Sequence, residues 1–209
     1  MLHVDGLSCV RSDRLLFSDL SFSVSAAQVV VIEGRNGSGK TSLLRILCGL
    51  SQARSGSISF EGSSIAEERE KYLKNMLYLG HLPAIKSEIS AQENLTIHCA
   101  LSGKPALDIP AALAKVGLAG FEWVPCQYLS AGQKRRVALA RLFAMQSRLW
   151  ILDAPLPALD VEGVKMLETM ITEQARSGGA VVMTTHQDVN LPQDVLVKRI
   201  RLARQHPSQ

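Results

Sequence analysis

Val29-Val30-Val31-Ile32-Glu33-Gly34-Arg35-Asn36-Gly37-Ser38-Gly39-Lys40-Thr41-Ser42-Leu43-Leu44-Arg45-Ile46-Leu47 decides how the rest of this chain is read. Its first four residues are β-branched and apolar, the pattern of a strand buried on both faces. After Glu33, the eight residues GRNGSGKT fit G-x-x-x-x-G-K-[ST], the phosphate-binding loop. Leu43, Leu44, Ile46 and Leu47 follow at helical spacing, so the loop runs from a strand into a helix, as the motif requires. A Gly-rich turn matching by chance would not bring all these parts together. Gly34, Gly37 and Gly39 let the backbone curl so that its N–H groups point inward at an anion. The helix N-terminus adds partial positive charge. Lys40 is placed to reach the β- and γ-phosphates, and the Thr41 hydroxyl to ligate Mg²⁺. Gly34, Arg35, Asn36, Gly37, Ser38, Gly39, Lys40, Thr41 and Ser42 are therefore the candidate nucleotide contacts.

With 209 residues, 46% of them hydrophobic and 20% charged, the chain is expected to be a single globular domain. No apolar run approaches the roughly 18 residues needed to span a bilayer. The N-terminal MLHVDGLSCVRSDR carries Asp5 and Asp13 and lacks an apolar signal core, so a cytoplasmic protein with at most a peripheral membrane role is expected. A net charge of +4 does not point to nucleic acid. Arg199, Arg201 and Arg204 read as a solvated tail. Cys9, Cys48, Cys99 and Cys126 show no C-x-x-C spacing, which fits a reduced protein without disulfides or structural zinc. Cys48 falls in an apolar stripe and reads as core.

Around the loop, strands and helices alternate. Leu2 to Leu7 and Leu20 to Val24 read as half-buried strands, Ser57 to Phe60 as a short strand after a Ser51 to Gly56 loop, and 64–75 as a charged helix. Met76 to Leu79, Leu149 to Asp153 and Ala180 to Thr184 read as buried strands, and Val195 to Leu202 as a closing one. Val161 to Arg176 is an amphipathic helix. From about 83 to 130 the chain changes character. Prolines at 83, 105, 110 and 125 alternate with helical apolar patterns from Ala91 to Leu101 and from Ile109 to Leu118, the reading of a helical sub-domain. Leu129 to Met145 is a further helix with Ser130 as N-cap. The fold class is α/β: a parallel-centred sheet with an antiparallel N-terminal β part and a helical sub-domain.

Asp153 ends an apolar strand downstream of the loop, where a carboxylate holds Mg²⁺ opposite Thr41. Leu129-Ser130-Ala131-Gly132-Gln133 supplies a second anion site, built from a Ser hydroxyl, the Gly132 N–H and a helix N-terminus. LSAGQ followed by KRRVALARL resembles the signature of ABC-transporter ATPases, usually LSGGQ, and so implies a P-loop NTPase of that type. The resemblance implies that Ser130, Gly132 and Gln133 close over ATP held by a second ATPase subunit, giving a homodimer with two sandwiched nucleotides. It places Asp160, in Ala158-Leu159-Asp160, in the inter-subunit loop, and makes His186, in Met183-Thr184-Thr185-His186-Gln187, the switch histidine beside the γ-phosphate. His186 and Lys40 are the catalytic candidates.

The likeness narrows further. Tyr78-Leu79-Gly80-His81-Leu82-Pro83-Ala84-Ile85-Lys86, Gln92-Glu93-Asn94-Leu95, Val116 to Glu122 and Leu149 to Asp153 are similar to the haem-exporter ATPases of bacterial cytochrome c maturation. That branch implies ATP and Mg²⁺ as cofactors and integral membrane transporter subunits as partners. It also implies haem handled indirectly, and a place at the cytoplasmic face of the inner membrane. His98-Cys99 lies on an apolar helix and reads as core rather than as a haem ligand pair.

Three positions depart from the family. The residue after Asp153 is usually a Glu that polarises the attacking water; here it is Ala154, whose methyl group neither accepts a proton nor orients water. Leu156 and Pro157 also depart from the common pattern, pointing to natural divergence. Leu82 replaces a Gln that senses Mg²⁺; neighbouring His81 is either a partial substitute or a loop histidine without a ligand role. The position that stacks on adenine falls near Arg11, whose guanidinium either stacks or is simply exposed. The sequence thus favours an ABC ATPase subunit. A slowly hydrolysing structural or regulatory subunit is the alternative from Ala154, and an importer or drug-exporter ATPase a weaker one.

Overall fold

The computed structural model describes residues 1–103 and 108–202, so Pro105 and Arg204 lie outside the described residues. Val29 to Ile32 forms the heart of a strand, β3 (Gln28–Glu33), and its four side chains alternate between two separate cores. Val29 and Val31 point to one, Val30 and Ile32 to the other, as the two-residue period of a strand dictates. The same division holds in β7 (Leu149–Asp153), with Trp150 and Leu152 on one face and Leu149 and Ile151 on the other. It holds again in β8 (Ala180–Thr184), with Val181 and Met183 against Ala180 and Val182. That is why these segments are apolar without interruption.

Together with β6 (Met76–Leu79) and β9 (Leu196–Arg201), these strands make a five-stranded sheet in the order β6-β7-β8-β3-β9, every pairing parallel. A second, antiparallel sheet, ordered β2-β1-β4-β5, is built from β1 (Leu2–Arg11), β2 (Arg14–Val24), β4 (Ser55–Phe60) and β5 (Ser63–Ser64). It shares one core with α1 (Lys40–Leu47) and α2 (Arg69–Asn75), through Leu2, Leu7, Phe17, Leu43, Leu47 and Tyr72. The other core joins the parallel sheet to α3 (Ala91–Ser102), α4 (Ile109–Lys115), α5 (Ala131–Ala144) and α6 (Val161–Arg176). α3 and α4 both pack on α5.

Several expected boundaries shift, each for a local reason. β1 and β2 run past Leu7 and back from Leu20 to meet in a tight hairpin. Its turn residues Ser12 and Asp13 have φ of 49° and 59°, the left-handed pair of a type I′ turn. Register shifts between Val4 and Val10 hide the strand's continuity by breaking its polar–apolar alternation. Only Arg69–Asn75 of the expected 64–75 helix is helical. Ser63 and Ser64 instead pair with Phe60 and Ser59, and the Ser64 hydroxyl accepts the Ala66 amide, a local bond that competes with helix. α4 ends at Lys115 because Gly117 turns out at φ 73°, its amide bonded to Ala114 and that of Leu118 to Leu113. α5 runs from Ala131 to Ala144 inside the expected Leu129 to Met145, and β4 begins at Ser55, inside the expected loop. Cys48 is buried as expected, and so are the other three cysteines. Among the described residues no helix is long and apolar enough to cross a membrane.

Candidate functional site

The phosphate loop joins the C-terminal end of β3 to the first turn of α1, and its side chains and backbone face a cavity of about 600 Å³. Asn36, Gly37, Gly39, Lys40, Thr41 and Ser42 line it from the loop, Asp153 and Ala154 from the end of β7, and Thr184 and His186 from the end of β8. Parallel neighbours ending together bring these residues to one place, the C-terminal edge of the sheet. Arg11 and Leu16 close the cavity from the β1–β2 hairpin, and His81 from the segment after β6. Gly39 is the tight point of the loop. It caps α1 at φ 96°, and a Cβ there would come within 3.0 Å of Leu16 Cβ and 3.2 Å of Phe17 Cδ1.

Lys40 turns back across the loop: its Nζ donates to the carbonyls of Gly34 at 2.6 Å and Arg35 at 3.1 Å. Burial lowers its pKa, and the negative charge of Asp153 opposes that shift. Asp153 is 2% exposed. Its Oδ1 accepts a 2.8 Å hydrogen bond from Thr184 Oγ1, and Thr184 Oγ1 accepts the Ala154 N–H at 2.8 Å. Among the described residues Asp153 Oδ2 is buried with no hydrogen-bond partner, and so is Ser38 Oγ. A buried, unpaired carboxylate oxygen in the cavity that Thr41 lines is a donor set suited to a hard cation. Thr185 Oγ1 accepts the Gln187 amide at 2.9 Å in a turn that fixes the backbone around His186.

Ser130 begins α5 with a reciprocal capping box. Its hydroxyl oxygen accepts the Gln133 amide at 3.1 Å, and Gln133 Oε1 accepts the Ser130 amide at 2.9 Å. The Ser130 hydroxyl proton stays free to donate. Ser130, Gly132 and Gln133 line a second cavity, about 550 Å³, with Ala158 and Asp160. Gly132 has no room for a side chain: a Cβ would lie 3.0 Å from the Ala158 carbonyl oxygen. Asp160 caps α6 by accepting the Gly163 amide at 2.8 Å and is paired with Arg136 Nη2 at 2.8 Å. These bonds, the Gly163 amide foremost, hold its carboxyl below the usual carboxylate range. The structure thus brings Asp160 to the signature residues and not to the phosphate loop, and the two cavities share no lining residue.

Two residues escaped the sequence reading. Thr184 faces Asp153 one rung across the parallel ladder, a pairing visible only once the register is known. Arg135 is 3% exposed and donates from Nε to Pro155 O at 3.0 Å and from Nη2 to Ala154 O at 2.8 Å. From Nη1 it donates to Gly80 O at 3.1 Å and His81 O at 3.2 Å. Burial lowers its pKa and the Asp153 charge opposes that. The signal was present in the sequence: Arg135 sits on the helical stripe with Ala138, Leu139 and Leu142, all buried.

A phosphate loop, a strand-end acid with an unpaired oxygen and a strand-end histidine around one cavity define a P-loop nucleotide-binding protein. A family model described as ABC transporter matches residues 17–157. The cytochrome c biogenesis ATP-binding export protein CcmA of Vibrio cholerae serotype O1 is 49% identical over 205 residues, covering 97% of this chain and 98% of that protein. Its counterpart of the same name in Shewanella frigidimarina is 46% identical over 202 residues, covering 97% and 94%. A solved ATP-binding subunit of an ABC transporter superposes with a TM-score of 0.80 at 26% identity, covering 89% of this chain and 79% of that one. A putative ABC transporter ATP-binding protein from Pyrococcus furiosus gives a TM-score of 0.82 at 23% identity, a likeness of fold, covering 96% of each chain. The chain belongs to the ABC transporter family and is an ATP-binding subunit of that type.

Proposed function

We propose that this chain binds MgATP in the cavity of the phosphate loop and closes on a second copy of itself. That closure drives integral membrane partners in cytochrome c biogenesis, with haem handled by the partners. One observation supports the two-copy reading: the signature cavity and the phosphate-loop cavity share no lining residue, so the chain presents two separate anion sites, each suited to a different nucleotide. The biogenesis branch is supported by the names of relatives 46% and 49% identical over nearly their whole length.

In this reading the amides of Gly34 to Thr41 and the Lys40 ammonium bind the β- and γ-phosphates, Lys40 exchanging two loop carbonyls for phosphate oxygens. Thr41 and Asp153 would hold Mg²⁺, which offsets charge building on the phosphates. His186 donates to the γ-phosphate. Ser130, Gly132 and Gln133 of each copy, with Asp160 beside them, meet the other copy's γ-phosphate. Arg11 lines the cavity in reach of the nucleotide base. Residues of about 83–130, packed on α5, act as a helical sub-domain of the one domain 1–209, and the chain sits peripherally at the cytoplasmic face of the bacterial inner membrane. An apolar groove near α2 and α3, with Leu50 51% and Leu101 81% exposed, suits a membrane partner's helix.

A stoichiometric ATPase assay on the assembled complex tests this. Turnover abolished by Lys40→Ala is the expected result. Loss of ATP binding with Lys40 intact, or equal turnover in Lys40→Ala, would overturn it. Ala154 favours a second reading, a subunit that closes on ATP and hardly cuts it; retained binding with no detectable turnover would establish that one instead.

A further inference from the structure

The segment from Ala154 to Asp160 runs from one anion site to the other. Ala154 and Pro157 line the phosphate-loop cavity, Ala158 and Asp160 the signature cavity. Two consecutive arginines of α5 hold its ends: Arg135 on the Ala154 and Pro155 carbonyls, Arg136 on the Asp160 carboxylate. Ala154 at φ 45° and Ala158 at φ 69° bracket the segment in left-handed backbone. Left-handed backbone is unfavourable for a residue with a Cβ and persists only where its surroundings impose it. Arg135 also reaches the Gly80 and His81 carbonyls, so the strand-end segments of β6 and β7 are pinned to one guanidinium. From Arg135 to the Ser130 cap is about 7 Å along a rigid helix.

We propose that Arg135 is a positioning residue that couples the two half-sites of the chain. It ties the ends of β6 and β7, which face the chain's own nucleotide, to the helix and segment that face the nucleotide of the second copy. This rests on the two-copy reading above. Asp153, which would hold the cation beside the γ-phosphate, is joined to Ala154 by one peptide bond, so a displacement of its carboxylate would be felt at Ala154. Arg135 passes that shift to α5 and to the backbone leading to Ala158, whose carbonyl lies against Gly132. Planar, multi-donor geometry makes this a task for Arg: an ammonium presents one point and cannot bridge both segments at once.

The test uses the full chain with MgATP or MgADP, reading affinity by calorimetry and association by sedimentation. In the wild type MgATP drives dimerisation, and MgATP affinity rises with protein concentration. Arg135→Ala and Arg135→Gln are expected to keep MgADP affinity within about threefold, since the phosphate loop carries it, while the MgATP-driven dimer constant falls about tenfold or more. MgATP affinity then loses its dependence on protein concentration, and Arg135→Lys, which keeps the charge without bridging both segments, is expected to recover little of the loss. Arg135→Ala leaves four carbonyls without their donor, one buried and three part-buried, and can fail to fold, so the Gln and Lys variants, with their unfolding midpoints, carry the test if it does. Wild-type dimerisation in Arg135→Gln overturns the coupling, as does equal weakening of MgADP and MgATP binding, the mark of a merely structural residue. A wild type that binds MgATP and never dimerises overturns the two-copy reading itself, and the coupling with it.

Discussion

Thr184 Oγ1 donates a 2.8 Å hydrogen bond to Asp153 Oδ1 while accepting the Ala154 amide at 2.8 Å. One hydroxyl thereby fixes the carboxylate and the backbone beside it, and among the described residues Asp153 Oδ2 is left without a hydrogen-bond partner. Thr184→Val keeps the shape and removes both bonds. A buried carboxylate oxygen and a part-buried amide are then unpaired, at a cost of about 1–3 kcal/mol for the first and less for the second. Denaturant unfolding is expected to show that loss, and calorimetry a weaker Mg²⁺ dependence of ATP binding. Thr184→Ser, which restores the hydroxyl, is expected to recover both.

His98 holds the segment after β6 from the side of α3: its Nε2 donates to the Ala84 carbonyl at 2.9 Å, and Ala84 is in left-handed backbone at φ 53°. Half-burial pushes the imidazole pKa down, the nearby Arg141 pushes it the same way, and the Ala84 bond opposes them. A folded pKa below the unfolded value of about 6.5 means that the unfolded chain binds the proton more readily. The contribution of neutral His98 is therefore complete above that value and is lost as pH falls through the lowered one. His98→Gln retains a donor for Ala84 and does not titrate. The unfolding midpoint of the variant is expected to vary less with pH across this mildly acidic window than that of the wild type.

The phosphate loop, its flanking strand and helix, the strand-end Asp153 and His186, and the Ser130 cap were all legible because each is local. They depend on periodicity, glycine placement and capping chemistry within a few residues. Arg11 reads as either a stacking or a simply exposed residue; the structure places it, exposed, at the edge of the cavity on a hairpin that the bulges of β1 hide from the sequence. The partners of Thr184 and Arg135 were hidden for another reason: they are 31 and as many as 55 residues away, although Arg135 itself falls on the buried stripe of α5. Such partners are set by strand order and helix packing, which no local pattern encodes. Motif order makes Asp160 an inter-subunit residue; its placement in the signature cavity rests on its ion pair with Arg136 of α5, 24 residues away.

Ser130 serves two purposes that can be separated. Its oxygen caps α5 through the Gln133 amide, worth about 1 kcal/mol on replacement by Ala. Its proton is the donor expected to face the second copy's γ-phosphate. Ser130→Ala is expected to lower stability by that amount and to abolish MgATP-driven dimerisation in sedimentation, while MgADP binding by the single chain persists. Ser130→Thr keeps the hydroxyl and cap and is expected to dimerise.

Ala154 is the position where binding and cutting part company. Its amide and carbonyl are already committed, to Thr184 Oγ1 and Arg135 Nη2, and its φ of 45° is tolerated by a residue with a Cβ. Replacing the methyl by a longer side chain therefore leaves the backbone bonds in place and extends into the cavity that Ala154 lines. Ala154→Glu is expected to raise single-turnover ATP cleavage by about 10²–10⁴-fold, the usual worth of a general base, and to shorten the life of the ATP-bound dimer in proportion. Rapid-quench measurement on the assembled complex reads the first effect, and dimer decay after dilution the second. An unchanged rate would mean that another group lining the cavity already orients the water. His81 and His186 line the same cavity, and His81→Ala or His186→Ala would then lower the wild-type rate.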